Sequence, residues 1–202
     1  MWLATSIAAC GGDVSLRPTP LVPAEVGDHG PRRMVLVIDA GVPYEATVGL
    51  PDGRCVVRHL RPFIEQGVAS MLAGVAAPLD VAFGEAPPGY DLYVVPTVEL
   101  SARQAEPRWG DASADQPAAS RGSDRSGSCD AHAAIAVRDR AGGELARVER
   151  RASGALDERR RCDQAFGQAG PCFGALRRAL GDAVQAALRE ADRRIAAGGG
   201  AP

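Results

Sequence analysis

Two cysteines in this chain each stand a few residues from a histidine. Cys55-Val56-Val57-Arg58-His59 spaces thiol and imidazole as C-x3-H, and Cys129-Asp130-Ala131-His132 as C-x2-H. Two thiolates and two imidazoles can make a tetrahedral zinc site, so a cytosolic zinc-binding module is one reading, with halves 70-odd residues apart. Catalytic spacing is missing: the chain has no Gly-x-Ser-x-Gly, no His-Glu-x-x-His and no phosphate-cradling glycine loop. No catalytic residue and no cofactor is therefore expected. Asp39 follows an apolar run, where α/β enzymes often carry a carboxylate, but a lone acid there reads as a strand-end turn former. Arginine gathers at Arg147, Arg150, Arg151, Arg159, Arg160 and Arg161, interleaved with Glu149, Asp157 and Glu158. Guanidinium groups pair with phosphates and carboxylates in bidentate fashion, which makes this segment a candidate site for an anionic glycan or lipid. A solvated face of mixed charge is the plainer reading.

A fifth cysteine sits near the start. Leu3-Ala4-Thr5-Ser6-Ile7-Ala8-Ala9-Cys10-Gly11 is apolar and small, and Ile7-Ala8-Ala9-Cys10 resembles the lipobox of bacterial lipoprotein signal peptides. The resemblance implies that Cys10 becomes the N-terminus and carries a lipid, and that residues 1–9 are the remnant of a signal peptide. Small side chains suit a narrow peptidase cleft, and the thiol is the nucleophile that takes up diacylglycerol. Export in turn makes two disulfides the expected state of Cys55, Cys129, Cys162 and Cys172. Cys162 and Cys172 flank a short glycine-containing loop and are expected to pair, leaving Cys55 with Cys129. The zinc reading weakens accordingly.

Those groups need a scaffold, and 202 residues suffice for one domain with tails. Aromatic residues make up 4% of the chain, so Val, Leu, Ile and Ala must form the core. All 23 basic residues are arginine, a chain-wide bias best read as GC-rich codon usage, which marks no site. A net charge of −2 offers no general attraction to nucleic acid, so none is expected as a partner. No apolar run reaches the roughly 18 residues of a spanning helix.

Residues 10–31 contain Gly11, Gly12, Pro18, Pro20, Pro23 and Pro31 without periodicity, which predicts an extended tether between the lipid and a domain at 32–197. Met34–Ile38 is a continuous apolar strand covered on both faces. Tyr44–Leu50 and Cys55–Leu60 frame a turn at Pro51-Asp52-Gly53. Helical spacing predicts a helix over 62–73. Residues 91–100 alternate, with Leu92, Val94, Val98 and Leu100 inward and Tyr93, Thr97 and Glu99 outward, and Pro96 marks an edge. Residues 101–128, with Trp109 as the only large apolar residue, read as a disordered loop. Residues 131–139 and 144–153 form a hairpin, an amphipathic helix covers 171–197, and 198–202 is a flexible tail.

These elements predict an α+β fold, a mostly antiparallel sheet with two amphipathic helices packed on one face. Their order resembles that of the small outer-membrane lipoproteins that include the plug subunit of the lipopolysaccharide translocon. That resemblance implies a non-enzymatic, periplasm-facing accessory of an envelope assembly or export complex, held to the membrane by its lipid and bound to an envelope protein partner. The open sheet face, through Tyr93, Thr97 and Glu99, is the expected docking surface.

Overall fold

The computed structural model describes residues 12–22, 24, 32–50, 53–104, 127–157 and 161–198. In chain order the elements are β1 (Gly12–Ser15), β2 (Arg32–Ile38), β3 (Ala46–Leu50), β4 (Gly53–Arg58), α1 (Leu60–Leu72), β5 (Ala76–Phe83), β6 (Leu92–Gln104), β7 (Gly127–Asp139), β8 (Glu144–Leu156), α2 (Cys162–Phe166) and α3 (Pro171–Gly198). They build an α+β fold with a three-stranded sheet ordered β1-β4-β3 and a five-stranded sheet ordered β5-β2-β6-β7-β8. Both sheets are mixed, which corrects the mostly antiparallel expectation: β1/β4, β2/β5 and β2/β6 are parallel, while β3/β4, β6/β7 and β7/β8 are antiparallel. The physical reason lies in β2. Its apolar run is buried on both faces, with Val35 and Leu36 wholly inaccessible, as strands flanked by parallel neighbours usually are.

The two long helices cover one face of the larger sheet. α1 buries Leu60, Phe63, Ile64, Val68, Met71 and Leu72, and α3 buries a stripe from Phe173 through Leu176, Leu180, Val184 and Leu188 to Ala191. Both stripes join Met34, Leu36 and Ile38 of β2, Val94 and Val98 of β6 and Ile135 of β7 in one core. Phe63 and Phe173 meet with ring centroids 5.4 Å apart. α1 begins two residues before the expected start, so Pro62 falls in the first turn, where its missing amide hydrogen is not needed. Asp192, on α3, is buried and paired with Arg32 at 2.9 Å, which ties the helix to the start of β2.

Residues 12–22 and 24 of the expected tether are part of the fold. β1 pairs with β4, the Leu16 amide donates to the Arg58 carbonyl, and Leu16, Leu21 and Ala24 are buried. Further along, Leu21 N–H donates to Ser70 Oγ at 2.9 Å and Ala24 N–H to the Met71 carbonyl at 3.1 Å, so this strap lies across α1. Leu16, Leu21 and Ala24, set among prolines, follow no helical or alternating period, which is why the sequence pattern hid them. β5 also escaped the pattern, because Pro78 and Asp80 interrupt a short strand. Within the expected loop 101–128, Ser101–Gln104 extend β6 and Gly127–Ser128 open β7; Trp109 and the rest lie outside the described residues.

Candidate functional site

β6 is not the sheet edge that Pro96 suggested; it lies between β2 and β7. The inference holds locally, however. Pairing with β2 covers only Leu92–Val94, whereas pairing with β7 continues to Gln104. Pro96 therefore falls just beyond the two-sided part of the strand, where a missing donor on the β2 side breaks no ladder.

Where β2 ends and β6 runs on, a crevice of about 540 Å³ opens. Asp39, Gly41, Val42 and Pro43 form one wall with Ala46 and Leu60, and Thr97 to Leu100 of β6 form the other. The chain passes from β2 through α1 to β5 on one side of β2, then crosses to β6 on the other. The crevice thus lies at the carboxyl end of a parallel strand where the strand order reverses, the position at which open α/β sheets bind ligands.

Its Asp39 wall is held firmly. Asp39 Oδ1 accepts the Gly41 amide at 2.6 Å and the Val42 amide donates to the Asp39 carbonyl at 3.0 Å, the turn geometry its sequence position predicts. Arg61 of α1 then donates to the Val42 carbonyl through Nε at 3.0 Å and Nη2 at 2.6 Å. Tyr44 stacks edge-on against His59, which caps α1 in the left-handed conformation at φ 60°. On the opposite wall Thr97 and Glu99 are exposed, and the Glu99 side chain keeps 84% of its accessible surface. His132 of β7 lies between Glu99, 3.8 Å from its Nδ1, and Glu149, 3.2 Å from its Nε2.

Of the three expected docking residues, Thr97 and Glu99 line this crevice and Tyr93 does not. Tyr93 retains only 9% exposure and belongs to a separate small cluster with Val35 and Val37. Tyr90 packs edge-on over it at 6.2 Å, donates its hydroxyl to Asp80 Oδ2 at 2.5 Å and carries the Arg33 guanidinium on its ring. The hydrogen bond to Asp80, with some desolvation and the nearby carboxylate charge, raises the Tyr90 phenol above its ordinary 10.0.

The cysteines pair differently from the expectation. Cys55 joins Cys162 and Cys129 joins Cys172, with Cα separations of 5.3 and 5.2 Å, instead of Cys162 with Cys172 and Cys55 with Cys129. Helix packing decides this. α2 sets Cys162 beside Gly12 of β1 and the neighbouring β4, whereas the first turn of α3 lies over β8 and β7. Gly154 of β8 permits that approach, since a Cβ there would collide with the Pro171 carbonyl. With Cys55 and Cys129 bonded to other cysteines, the proposed zinc ligands do not assemble, and no group of three potential metal ligands occurs among the described residues.

The arginine segment also fails to converge. Arg147 and Arg151 point to the open face, Arg150 sits one register step away on the opposite face of β8, Arg161 caps α2 and pairs with Asp163, and Arg159 and Arg160 lie outside the described residues. Arginines do meet elsewhere. Arg177, Arg178 and Arg189 of α3 border a groove of about 520 Å³ beside Leu21 and Met71, a site concealed in the sequence because its two walls are over 100 residues apart. Arg178 Nη2 there donates to the Ser153 carbonyl at 3.0 Å, and the Arg177 guanidinium lies over the Phe173 ring.

No protein-family model matches the chain, and no curated protein matches it. Among solved structures, the hypothetical protein CT253 from Chlamydia trachomatis is similar at 14% identity and a TM-score of 0.35, covering 81% of this chain and 95% of that one. A likeness of that size supports no functional argument. Cys10, the expected lipid acceptor, lies outside the described residues.

Proposed function

We propose that this chain is a non-enzymatic bacterial lipoprotein, anchored through Cys10 and facing the periplasm, that serves as an accessory or scaffold of an envelope assembly or export complex. The observation that carries the reading is the cysteine pairing. Four buried cysteines form two disulfides that join residues 107 and 43 positions apart, and such bonds persist in oxidising compartments. The lipobox-like Ile7-Ala8-Ala9-Cys10 supports the same compartment from the other end of the chain. Because β1 begins at Gly12, a lipid on Cys10 would be separated from the folded sheet by Gly11 alone. The two residue steps from Cys10 to Gly12 span roughly 7 Å, so the domain would rest against the bilayer surface instead of standing off on a tether.

Partner binding is assigned to the crevice between the end of β2 and the second half of β6, where Thr97 and Glu99 meet the Asp39 turn. The anionic-ligand reading finds its best support in the arginine-bordered groove on α3. The anchor is tested first. Intact-mass analysis of protein from an exporting host should show a chain beginning at Cys10 with a diacylglycerol-sized addition, and Cys10→Ser should shift it from the membrane to the soluble fraction. An unmodified chain that retains Met1 and stays soluble overturns the reading.

A further inference from the structure

The crevice presents acceptors in excess. Asp39, which accepts the Gly41 amide through Oδ1, lines the crevice from the turn, and Glu99, 3.8 Å from His132 Nδ1, contributes a second carboxylate from the facing strand. Beyond Val94, no described residue is paired with the side of β6 away from β7, so backbone groups of this strand also border the opening. Val42, Pro43 and Leu100 add apolar surface to the same opening. Among the described residues no arginine lines the opening: Arg61 stands behind the Asp39 turn with its guanidinium committed to the carbonyls of Val42 and Ala40.

We propose that this crevice is a socket for an arginine side chain presented by the protein partner, a reading that rests on the scaffold function and names the chemistry of its contact. Arginine suits the site in both of its parts. The guanidinium carries five donors in a planar fork and no acceptor, which matches an opening rich in carboxylate, hydroxyl and carbonyl oxygen. The three-methylene stem covers apolar surface while the head stays with the acids. A lysine would supply charge without the fork and is the weaker fit; an acidic segment is repelled. The rigidity of the Asp39 wall matters as well, because a turn pinned by Arg61 need not be ordered on binding.

The experiment is a selection of displayed ten-residue peptides on the full-length, oxidised Cys10→Ser protein. Arginine should be enriched in the peptides recovered. Replacing that arginine by lysine should weaken binding measurably, and replacing it by glutamate should abolish it. Asp39→Asn and Glu99→Gln should each weaken binding about tenfold, the scale of one charge-assisted contact, and the double variant more, with Glu144→Gln at the far end of the hairpin unchanged. Asp39→Asn keeps the acceptor for the Gly41 amide, and exposed Glu99→Gln stands as an independent variant should the turn be disturbed. Recovery of no peptide, recovery of acidic peptides, or binding indifferent to both acid variants overturns the proposal. Mass analysis at Cys10 is a separate measurement, so a lipidated chain with no arginine preference removes the socket and leaves the envelope reading standing.

Discussion

The two halves of β6 are built on different terms. Leu92–Val94 hydrogen-bonds to β2 on one side and β7 on the other, and Tyr93 is roofed by Tyr90, whose hydroxyl is tied to Asp80. Val95–Gln104 keeps the β7 ladder alone, and its outward residues Thr97 and Glu99 are exposed. The first half resembles the interior of a parallel sheet; the second is an edge inside the molecule. An interior edge can offer binding chemistry without the long flat exposure that invites aggregation, because β3 and the Asp39 turn restrict what can enter. What replaces the missing β2 ladder is covalent: Cys129, opposite Ala102 near the far end of β6, is bonded to Cys172 on α3.

That substitution yields the largest expected effect. The Cys129–Cys172 bridge closes a loop of 43 residues, for which the chain-entropy model gives about 4 kcal/mol. Cys129→Ala with Cys172→Ala should therefore lower the free energy of unfolding by that order in denaturant titration. Hydrogen exchange should locate the loss in Val98–Gln104 and Gly127–Ala133, with Leu92–Val94 nearly as protected as before. Uniform loss of protection along β6 would show that the halves are one cooperative unit and break the contrast.

Tyr93→Ala probes the other half. Truncating a large aromatic side chain packed against Val35 and Val37 costs about 3 kcal/mol by the cavity rule. Thermal melting should show that loss, while the affinity of an arginine peptide for the crevice should stay within about twofold of the parent, a difference under 0.5 kcal/mol. Weakened binding with an unchanged melt would return Tyr93 to the docking surface.

This pair of outcomes also shows where the sequence was legible. Alternation in residues 91–100 correctly separates Val94 and Val98 from Thr97 and Glu99, because a strand's two faces have period two whatever its neighbours are. It cannot say which outward residues another segment will roof, and Tyr90 reaches Tyr93 only after the chain has turned out of β5. The same reason hides the crevice. Asp39 and Glu99 are individually visible, yet their approach depends on β2 lying beside β6, a long-range pairing that no local pattern encodes. α3 is legible from end to end because its apolar stripe repeats through about five turns, whereas the cysteine pairs obey helix placement: Cys162 and Cys172 are neighbours in sequence but enter different helices that dock on different strands.

The smallest expected effect sharpens the contrast chemically. Tyr90 donates to Asp80, so ionising the phenol removes the proton of that bond, and the folded state holds this proton more tightly than the unfolded chain does. Its contribution to stability is therefore fully present below the ordinary phenol value of 10.0 and is lost as pH rises through the higher folded value. Ultraviolet titration of tyrosinate, taken as the difference between the parent and Tyr90→Phe, should place the midpoint of Tyr90 above 10.0, and Asp80→Ala should bring it down, since the first cause of the shift is the hydrogen bond to that carboxylate. Because Tyr90 is solvent-facing, the accompanying change in stability should be slight, confined to alkaline pH, and felt at Tyr93 and not at Glu99. A Tyr90 midpoint that ignores Asp80→Ala would mean that the roof over the first half of β6 is held by ring packing alone, through Tyr93 and the Arg33 guanidinium.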